Sequence, residues 1–198
     1  MKKHQRRTRY VILGMLANNG PLSGYGIKKI TETQCGFFWA ESYGQIYPEL
    51  EKLASEGLIS QINAESDARE KLYDIQPSGR EELVKWLSVL PETETHRVEI
   101  ALKFYFGSHG DPKRIEQLVV DYHKIMNERY AKVKQVDDTL KAIPDDNYTL
   151  FWQRKNVELG LAVMSAWVNW CEGLERDFAS ESYVASQETR QPSLVLKE

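Results

Sequence analysis

The chain has 198 residues, of which 41% are hydrophobic and 28% charged, a composition typical of one or two small globular domains and not of a disordered or fibrous protein. No apolar run approaches the roughly 18 residues of a membrane span, and no hydrophobic segment follows the N-terminal charges as it would in a signal peptide. We therefore expect a cytoplasmic protein without a membrane partner.

The formal net charge of -3 hides an uneven distribution of charge. Residues 1–31 contain seven of the 26 lysines and arginines and no acidic residue, so the remainder carries 19 basic residues against 29 acidic ones. A basic end on an acidic body is typical of a protein that binds a polyanion. A solvated basic terminus without a partner is the alternative interpretation, and the elements that follow weigh against it.

Two helices are predicted within this basic end. The first covers residues 8–19, because apolar side chains recur on one face and Gly20-Pro21 ends the pattern. Ser23 is placed to cap the second helix, which leads into an aromatic loop. This loop contains Phe37, Phe38 and Trp39.

The third helix carries the clearest start and stop signals in the chain. Ser42 followed three positions later by Gln45 is a capping-box pattern, and Gly57 suits the left-handed position just past a helix end. These signals predict a helix over residues 43–56. Its apolar stripe consists of Ile46, Leu50, Leu53 and Ala54.

The face opposite this stripe begins at the positive end of the helix dipole. Gly44 would let a phosphate approach the backbone amides there, and the neighbouring side chains offer donors and flat surfaces for the edges of a DNA groove. The candidate DNA contacts of this helix are Ser42, Tyr43, Gly44, Gln45, Tyr47 and Lys52.

Two short β-rich runs follow at 58–62 and 71–75, and the polar stretch 63–68 between them predicts a β-hairpin. A fourth helix opens at Gln76-Pro77. This order of elements is that of a winged helix-turn-helix, with the third helix as the recognition helix and the hairpin as the wing. Further candidate DNA contacts, mostly to phosphates, are Lys2, Lys3, Arg6, Arg7, Arg9, Arg69 and Lys71.

Past Pro91 the pattern changes to long helices. One begins at Asp111-Pro112 and continues to about residue 140, and another follows Pro144. Both carry apolar residues at alternating steps of three and four, the spacing of helices packed side by side. Because this apolar surface exceeds what one helical hairpin can bury, we expect a homodimer.

These patterns predict a mainly α fold with one small β-hairpin. The predicted organisation is a winged helix-turn-helix domain over 1–90, a helical dimerisation and effector domain over 91–178, and a poorly ordered tail over 179–198.

No constellation of residues indicates catalysis or a bound metal. The four histidines are scattered, and none lies in a pattern with a nucleophile or a second metal ligand. Cys35 and Cys171 lack metal-type spacing and are interpreted as buried, reduced thiols. We therefore predict neither an enzyme nor a metal or cofactor site.

Three segments resemble the PadR family of bacterial transcriptional regulators: LSGYGI at 22–27, FFWAESYGQIYPELEKLASEGLI at 37–59 and KLYDIQPSGREEL at 71–83. The long C-terminal helices, ending in AWVNWCEGLE at 166–175, are similar to the subgroup with an extended dimerisation domain, which includes phenolic-acid sensors and a virulence-gene activator. The resemblance implies a homodimer that binds a palindromic operator in double-stranded DNA, usually as a repressor. The wing tip is less basic than is common in the family, which shifts the expected contacts toward Arg69, Lys71 and the N-terminal arm.

The aromatic loop has two interpretations, which the sequence leaves open. It could pack the winged helix on the C-terminal helices, or it could form one wall of an effector pocket at the junction between the domains. A small aromatic carboxylic acid in such a pocket would also need a cation or a hydrogen-bond donor. The candidates are His123, Arg129 and Arg154.

Two functions therefore stay open. One is a repressor released by a small aromatic acid such as a phenolic acid. The other is a regulator or activator without an effector, whose helical domain serves only dimerisation or contact with a partner regulator.

Overall fold

The computed structural model describes residues 5–62, 70–92, 97–144 and 148–188, with the backbone alone at 5–6 and 185–188. The chain divides into two compact units, 1–93 and 94–198. The described residues are mostly helical and contain one small antiparallel sheet. The predicted fold class is therefore confirmed.

The N-terminal unit contains four helices and three short strands within the described residues. In chain order they are α1 (Gln5–Asn19), β1 (Leu22–Ser23), α2 (Gly24–Ile30) with a π-helical turn (Thr31–Cys35), α3 (Tyr43–Ser55), β2 (Ile59–Gln61), β3 (Leu72–Ile75) and α4 (Pro77–Leu87).

The helix ends lie where the local sequence signals predict them. Gly20 and Gly57 follow the ends of α1 and α3 with φ of 75° and 71°, a region that only glycine enters without strain. Ser23 caps α2, because its side-chain oxygen accepts a hydrogen bond from the Gly26 N–H at 3.1 Å. Short-range rules thus account for most boundaries of this unit.

The sheet has one strand more than the predicted hairpin. β3 lies in the middle and pairs antiparallel with β2, with Ile59 opposite Ile75, and with β1, where Leu22 lies opposite Tyr73. Sequence reasoning missed β1 because two residues are too few to show alternation, and Ser23 was assigned only to the cap of α2. The predicted wing tip, residues 63–68, lies outside the described residues.

The inner face of α3 packs into the hydrophobic core of this unit. The predicted stripe is confirmed, since Ile46, Leu50 and Leu53 have no exposed area. They form one cluster with residues of α1, α2 and the sheet, and the other wholly buried members are Ile12, Leu13, Leu16 and Ile27. The opposite face of α3 is therefore directed away from the core.

The C-terminal unit is built on a helical hairpin. Its described helices are α5 (Glu99–Tyr105), α6 (Pro112–Lys141), α7 (Tyr148–Phe178) and α8 (Glu181–Glu188), with a 3-10 turn at Gly107–His109. The Asp111 side chain accepts a hydrogen bond from the Lys113 N–H at 3.1 Å and so caps α6 as predicted. Val119, Met126 and Val133 of α6 and Val157, Met164 and Cys171 of α7 are buried.

The helix α8 lies in the segment expected to be poorly ordered. Ser180 Oγ accepts a hydrogen bond from the Tyr183 N–H at 3.3 Å, and the rings of Phe178 and Tyr183 lie 4.9 Å apart. These contacts with the end of α7 organise a polar segment that has no apolar periodicity of its own. Residues 189–198 lie outside the described residues.

Candidate nucleic-acid interface

The start of α3 is fixed by the predicted capping box. The backbone N–H and the hydroxyl of Ser42 both donate to Gln45 Oε1, at 2.9 and 2.8 Å. Such a pair satisfies backbone donors that a helix N-terminus otherwise leaves unpaired. The side-chain oxygen of Gln45 is thus engaged in the helix start, and a contact with a base would have to come from its amide nitrogen.

A surface that we call the recognition surface, formed by Lys28, Tyr43, Gly44 and Tyr47, lies at this end of α3. Tyr43 and Tyr47 are 41% and 48% exposed, and their rings stack 6.0 Å apart. The Nζ atom of Lys28, on α2, lies 5.1 Å from the centre of the Tyr43 ring, but this ammonium also pairs with Glu32 and its side chain is only 15% exposed. Gly44 is exposed.

These groups combine the chemistry that DNA requires. The N-terminal end of a helix carries a partial positive charge and attracts phosphate. The tyrosine hydroxyls can donate to or accept from base edges and phosphates. The Lys28 ammonium lies beside them, with its charge partly offset by Glu32.

The base of the wing comes close to the recognition helix. A cavity of about 300 Å³ is lined by residues of α3, of β3 and of the start of α2, among them Tyr47, Glu51, Lys71 and Tyr73. Burial raises the pKa of the Tyr73 hydroxyl, and the nearby Glu51 carboxylate raises it further. Tyr47 and the exposed Lys71 are therefore neighbours, as a recognition helix beside a wing requires.

The basic N-terminal arm does not present all of its predicted phosphate contacts. The side chains of Lys2, Lys3, Arg6 and Arg69 lie outside the described residues. The Arg7 Nη2 atom lies 3.2 Å from the Glu92 carboxylate, and the Arg7 guanidinium lies 5.9 Å from the Trp39 ring centre.

Arg9 is paired within the N-terminal unit. Its side chain is only 14% exposed and forms an ion pair with Glu56, and its Nε lies 3.9 Å from Glu82 Oε1. Arg9 is therefore engaged within the fold, because its position on α1 points it toward the end of α3 and toward α4. On α3 itself, Lys52 Nζ lies 3.8 Å from the Glu56 carboxylate.

The aromatic loop is anchored within the N-terminal unit. The Trp39 indole N–H donates to Glu41 Oε1 at 2.7 Å, and Glu41 Oε2 accepts from the Thr8 hydroxyl at 3.0 Å. Phe37 and Phe38 make an edge contact at 4.7 Å, and Phe38 is 51% exposed. Trp39 thus has a packing role, and Phe38 is the most accessible ring of the loop.

The three cations proposed for an effector do not form one cluster. His123 Nδ1 lies 2.9 Å from Glu175 Oε1 and joins α6 to α7. The Arg154 guanidinium donates to the Leu140 and Ile143 carbonyls at 2.9 and 2.8 Å and closes the end of α6. Residues 123 and 140 are about 25 Å apart along α6, so a single ligand cannot bind both His123 and Arg154. Arg129 is exposed.

Other kinds of site find little support. No group of three or more His, Cys, Asp or Glu side chains suited to a metal occurs among the described residues. Cys171 is wholly buried and Cys35 partly so, neither forms a disulfide, and burial raises the pKa of the Cys35 thiol to about 11. No helix in the described ranges is long and apolar enough to cross a membrane.

The sheet, the helical core and the recognition surface define a winged helix-turn-helix DNA-binding protein. Residues 12–85 match the transcriptional regulator PadR-like family, and residues 96–177 match the family described as virulence activator alpha C-term. The negative transcriptional regulator PadR of Bacillus subtilis is 34% identical over 141 residues, which are 70% of this chain and 75% of the relative. The chain belongs to the PadR-like family of transcriptional regulators.

Solved structures agree with this assignment. Bacillus subtilis PadR in complex with operator DNA has a TM-score of 0.75 and 29% identity, covering 86% of this chain and 97% of that one. The same regulator in complex with p-coumaric acid has a TM-score of 0.74 and 28% identity, covering 91% and 100%. The protein is thus a transcriptional regulator of the PadR type that binds DNA.

A buried acid within the recognition helix makes stability depend on pH. Glu49 on α3 is 6% exposed, and its Oε1 has no hydrogen-bond partner in the part of the chain that the structure describes. Burial raises the pKa of this carboxyl above its ordinary value of 4.5, although Lys52 and Arg9 oppose the shift. The native state therefore binds this proton more tightly than the unfolded state does.

Because of this difference, the free energy of unfolding should fall as pH rises from 4.5 through the raised native pKa of Glu49. Glu49→Gln, which resembles the protonated acid, should raise the urea midpoint at pH 7, and its advantage over the unsubstituted protein should shrink toward pH 4. A variant that is equally destabilised at both pH values would contradict this prediction.

Proposed function

We propose that this regulator is a homodimeric repressor that reads a palindromic operator with the start of α3 and releases it when a small aromatic carboxylic acid binds. The observation that carries the proposal is the recognition surface: exposed, stacked tyrosines at the capped N-terminus of a helix whose other face is buried. The negative regulation described for the Bacillus subtilis relative supports the repressor role.

The candidate contact groups divide the work of binding DNA. Backbone N–H groups at the helix start and the basic side chains Arg7, Lys52 and Lys71 are suited to phosphates, which give affinity without sequence information. Tyr43, Tyr47 and the amide nitrogen of Gln45 are suited to base edges in the major groove, where donors and acceptors differ between base pairs.

Apolar side chains on the helical hairpin support a dimer. Leu159 and Val163 on α7 are 60% and 43% exposed, and Ile125 on α6 is 46% exposed. Burying one such side chain contributes roughly 1.5 to 3 kcal/mol, so pairing two copies through these helices would stabilise both. A two-fold dimer then places two α3 helices on half-sites roughly 34 Å apart, which fits a palindromic operator.

Gln45→Glu separates base reading from helix capping. A glutamate keeps an oxygen for both Ser42 donors, as in the common form of the capping box, but it loses the amide donor. We expect the ratio of operator affinity to affinity for an unrelated duplex to fall about 5- to 150-fold, as loss of about 1 to 3 kcal/mol of base discrimination would produce. Gel-shift titrations at one fixed salt concentration measure this ratio, and the complex should contain two chains per operator.

The added carboxylate repels all duplexes alike, so it largely cancels in the ratio. The matched control is Ser23→Ala, which removes the cap of α2 but leaves Gln45 and its partners in place, and it should keep the affinity ratio. If Gln45→Glu also keeps the ratio, Gln45 does not read bases.

The effector proposal rests on the aromatic loop and on the relative that was solved with p-coumaric acid. The exposed Phe38 ring could stack on an aromatic ligand, whose carboxylate would need a cation as a partner. A ligand that favours the non-binding arrangement of the dimer about a hundredfold supplies about 2.7 kcal/mol per site against DNA binding.

The effector-free regulator remains the second candidate. The engagement of Trp39, His123 and Arg154 in the packing of their own units favours it, because these side chains then have structural roles.

Titration of p-coumarate into the protein–operator complex distinguishes the two candidates. We expect release at or below millimolar concentration, and no release by 4-vinylphenol, which has the same ring but no carboxylate. Phe38→Ala should weaken release while leaving operator affinity unchanged. Trp39→Phe removes the indole N–H and so tests the hydrogen bond to Glu41 that anchors the loop. Absence of release by p-coumarate would favour the effector-free regulator.

A further inference from the structure

Two consecutive residues of α1, Thr8 and Arg9, contact the two ends of the recognition helix. α3 contains 13 residues and is therefore about 20 Å long. Glu41, which Thr8 contacts, directly precedes the N-cap residue Ser42, and Glu56, which Arg9 contacts, is the C-cap residue. A short segment of α1 is thus connected by polar contacts to both termini of α3.

The contact at the N-terminal end is buried and directional. Thr8 and Glu41 are 1% and 4% exposed. The Glu41 carboxylate accepts one hydrogen bond on each oxygen, from the Thr8 hydroxyl at 3.0 Å and from the Trp39 indole N–H at 2.7 Å. Hydrogen bonds to a buried carboxylate are strong and have defined geometry, so they hold the backbone just before the capping box.

The contact at the C-terminal end connects three helices. Arg9 pairs with Glu56 and lies near Glu82 of α4, with 14% of its side chain exposed. The Tyr10 hydroxyl donates to Glu82 Oε1 at 3.3 Å, and the Tyr10 ring stacks on Trp86 with 4.6 Å between centres. The end of α3 is therefore fixed relative to α1 and α4 together.

The apolar core alone does not fix α3 in this way. Apolar burial is favourable in proportion to area and is not directional, so small changes in the tilt or axial position of α3 would cost little in core contact. Base recognition is less tolerant, because hydrogen bonds to base edges require correct distances and angles.

We propose that Thr8 and Arg9 are positioning residues for DNA recognition, a two-point clamp that sets the tilt and axial position of α3 and hence the orientation of the recognition surface. This inference rests on base reading by α3 and assigns Arg9 a role other than the phosphate contact that the basic arm suggests. It concerns residues that do not touch DNA.

The first experiment uses Arg9→Gln, Glu56→Gln and the double variant of the full-length protein, with operator and unrelated duplexes over a range of salt. The clamp requires that each single variant lowers the affinity ratio about tenfold or more and that Arg9→Gln leaves the salt slope unchanged. The affinity ratio of the double variant should be no lower than that of the more affected single variant. Arg9→Lys, which keeps a positive charge, should recover part of the ratio.

If Arg9 instead contacts a DNA phosphate, the results should be different. Arg9→Gln would then weaken operator and unrelated duplexes alike and lower the salt slope by about 0.9. An unchanged affinity ratio with a lowered salt slope in Arg9→Gln would overturn the clamp. Glu56→Gln is judged by the affinity ratio alone, because Glu56 also pairs with Lys52 and its loss changes the affinity for every duplex.

The second experiment tests the contact between Thr8 and Glu41 with a substitution that nearly preserves the shape of the side chain. Thr8→Val removes the donor to Glu41 and should lower the affinity ratio, whereas Thr8→Ser keeps a hydroxyl and should restore it. The matched control is Thr33→Val, since the exposed Thr33 hydroxyl bonds only to carbonyls of its own helical turn, those of Lys29 and Ile30.

All variants are compared at a temperature at which circular dichroism shows them to be fully folded. A merely structural role would lower the melting temperature and leave the affinity ratio of the folded protein unchanged. If Thr8→Val and Arg9→Gln give that result, the clamp is wrong. If Gln45→Glu keeps its ratio while Thr8→Val and Arg9→Gln lower theirs, α3 is positioned as inferred but reads bases through other side chains.

Discussion

The burial of the inner face of α3 against α1 is the constraint on which the rest of the N-terminal unit depends. Ile46, Leu50 and Leu53 are wholly buried, and rotation of the helix about its axis would bring apolar area into water at a cost of about 25 cal/mol per Å². The outward direction of Tyr43, Gly44 and Tyr47 is a consequence of that burial. The orientation of the proposed DNA-binding surface is thus specified by residues that do not belong to it.

The local chemistry at the helix start then determines what this surface can bind. The Ser42–Gln45 capping box satisfies backbone donors at the first turn and defines where the helix begins. The helix dipole makes this end partly positive although the whole chain is acidic. An acidic body with a locally positive binding surface limits nonspecific attraction to DNA and concentrates it at one place.

Much of this arrangement could be predicted from the sequence because it depends on neighbours in the chain. The bounds of α3, the caps of α2 and α6 and the buried stripe of α3 all follow from residues within four positions of one another. The strand β1 could not be predicted in this way, because its two residues become a strand only through pairing with β3, about 50 residues later.

The candidate site was less predictable, because the partners of its charged side chains lie far away in the sequence. From the sequence alone, a basic side chain that is paired within the fold cannot be told apart from one that is available for a phosphate. Arg9 is such a case, because its partners Glu56 and Glu82 are distant in sequence. His123 and Arg154 are similar cases, since Glu175 and the end of α6 become their partners only when the hairpin folds. Sequence patterns thus predicted the recognition helix. They did not show which charged side chains form pairs within the fold.

The central claim, that DNA is bound by the start of α3, can be tested by hydroxyl-radical footprinting of the full-length protein with and without operator. Tyr43 and Tyr47 are 41% and 48% exposed, and Tyr148 on α7 is 76% exposed and serves as an internal reference. Operator should slow oxidation of Tyr43 and Tyr47 several-fold relative to Tyr148. Equal oxidation rates of Tyr43 and Tyr47 in the free and bound protein would contradict the account.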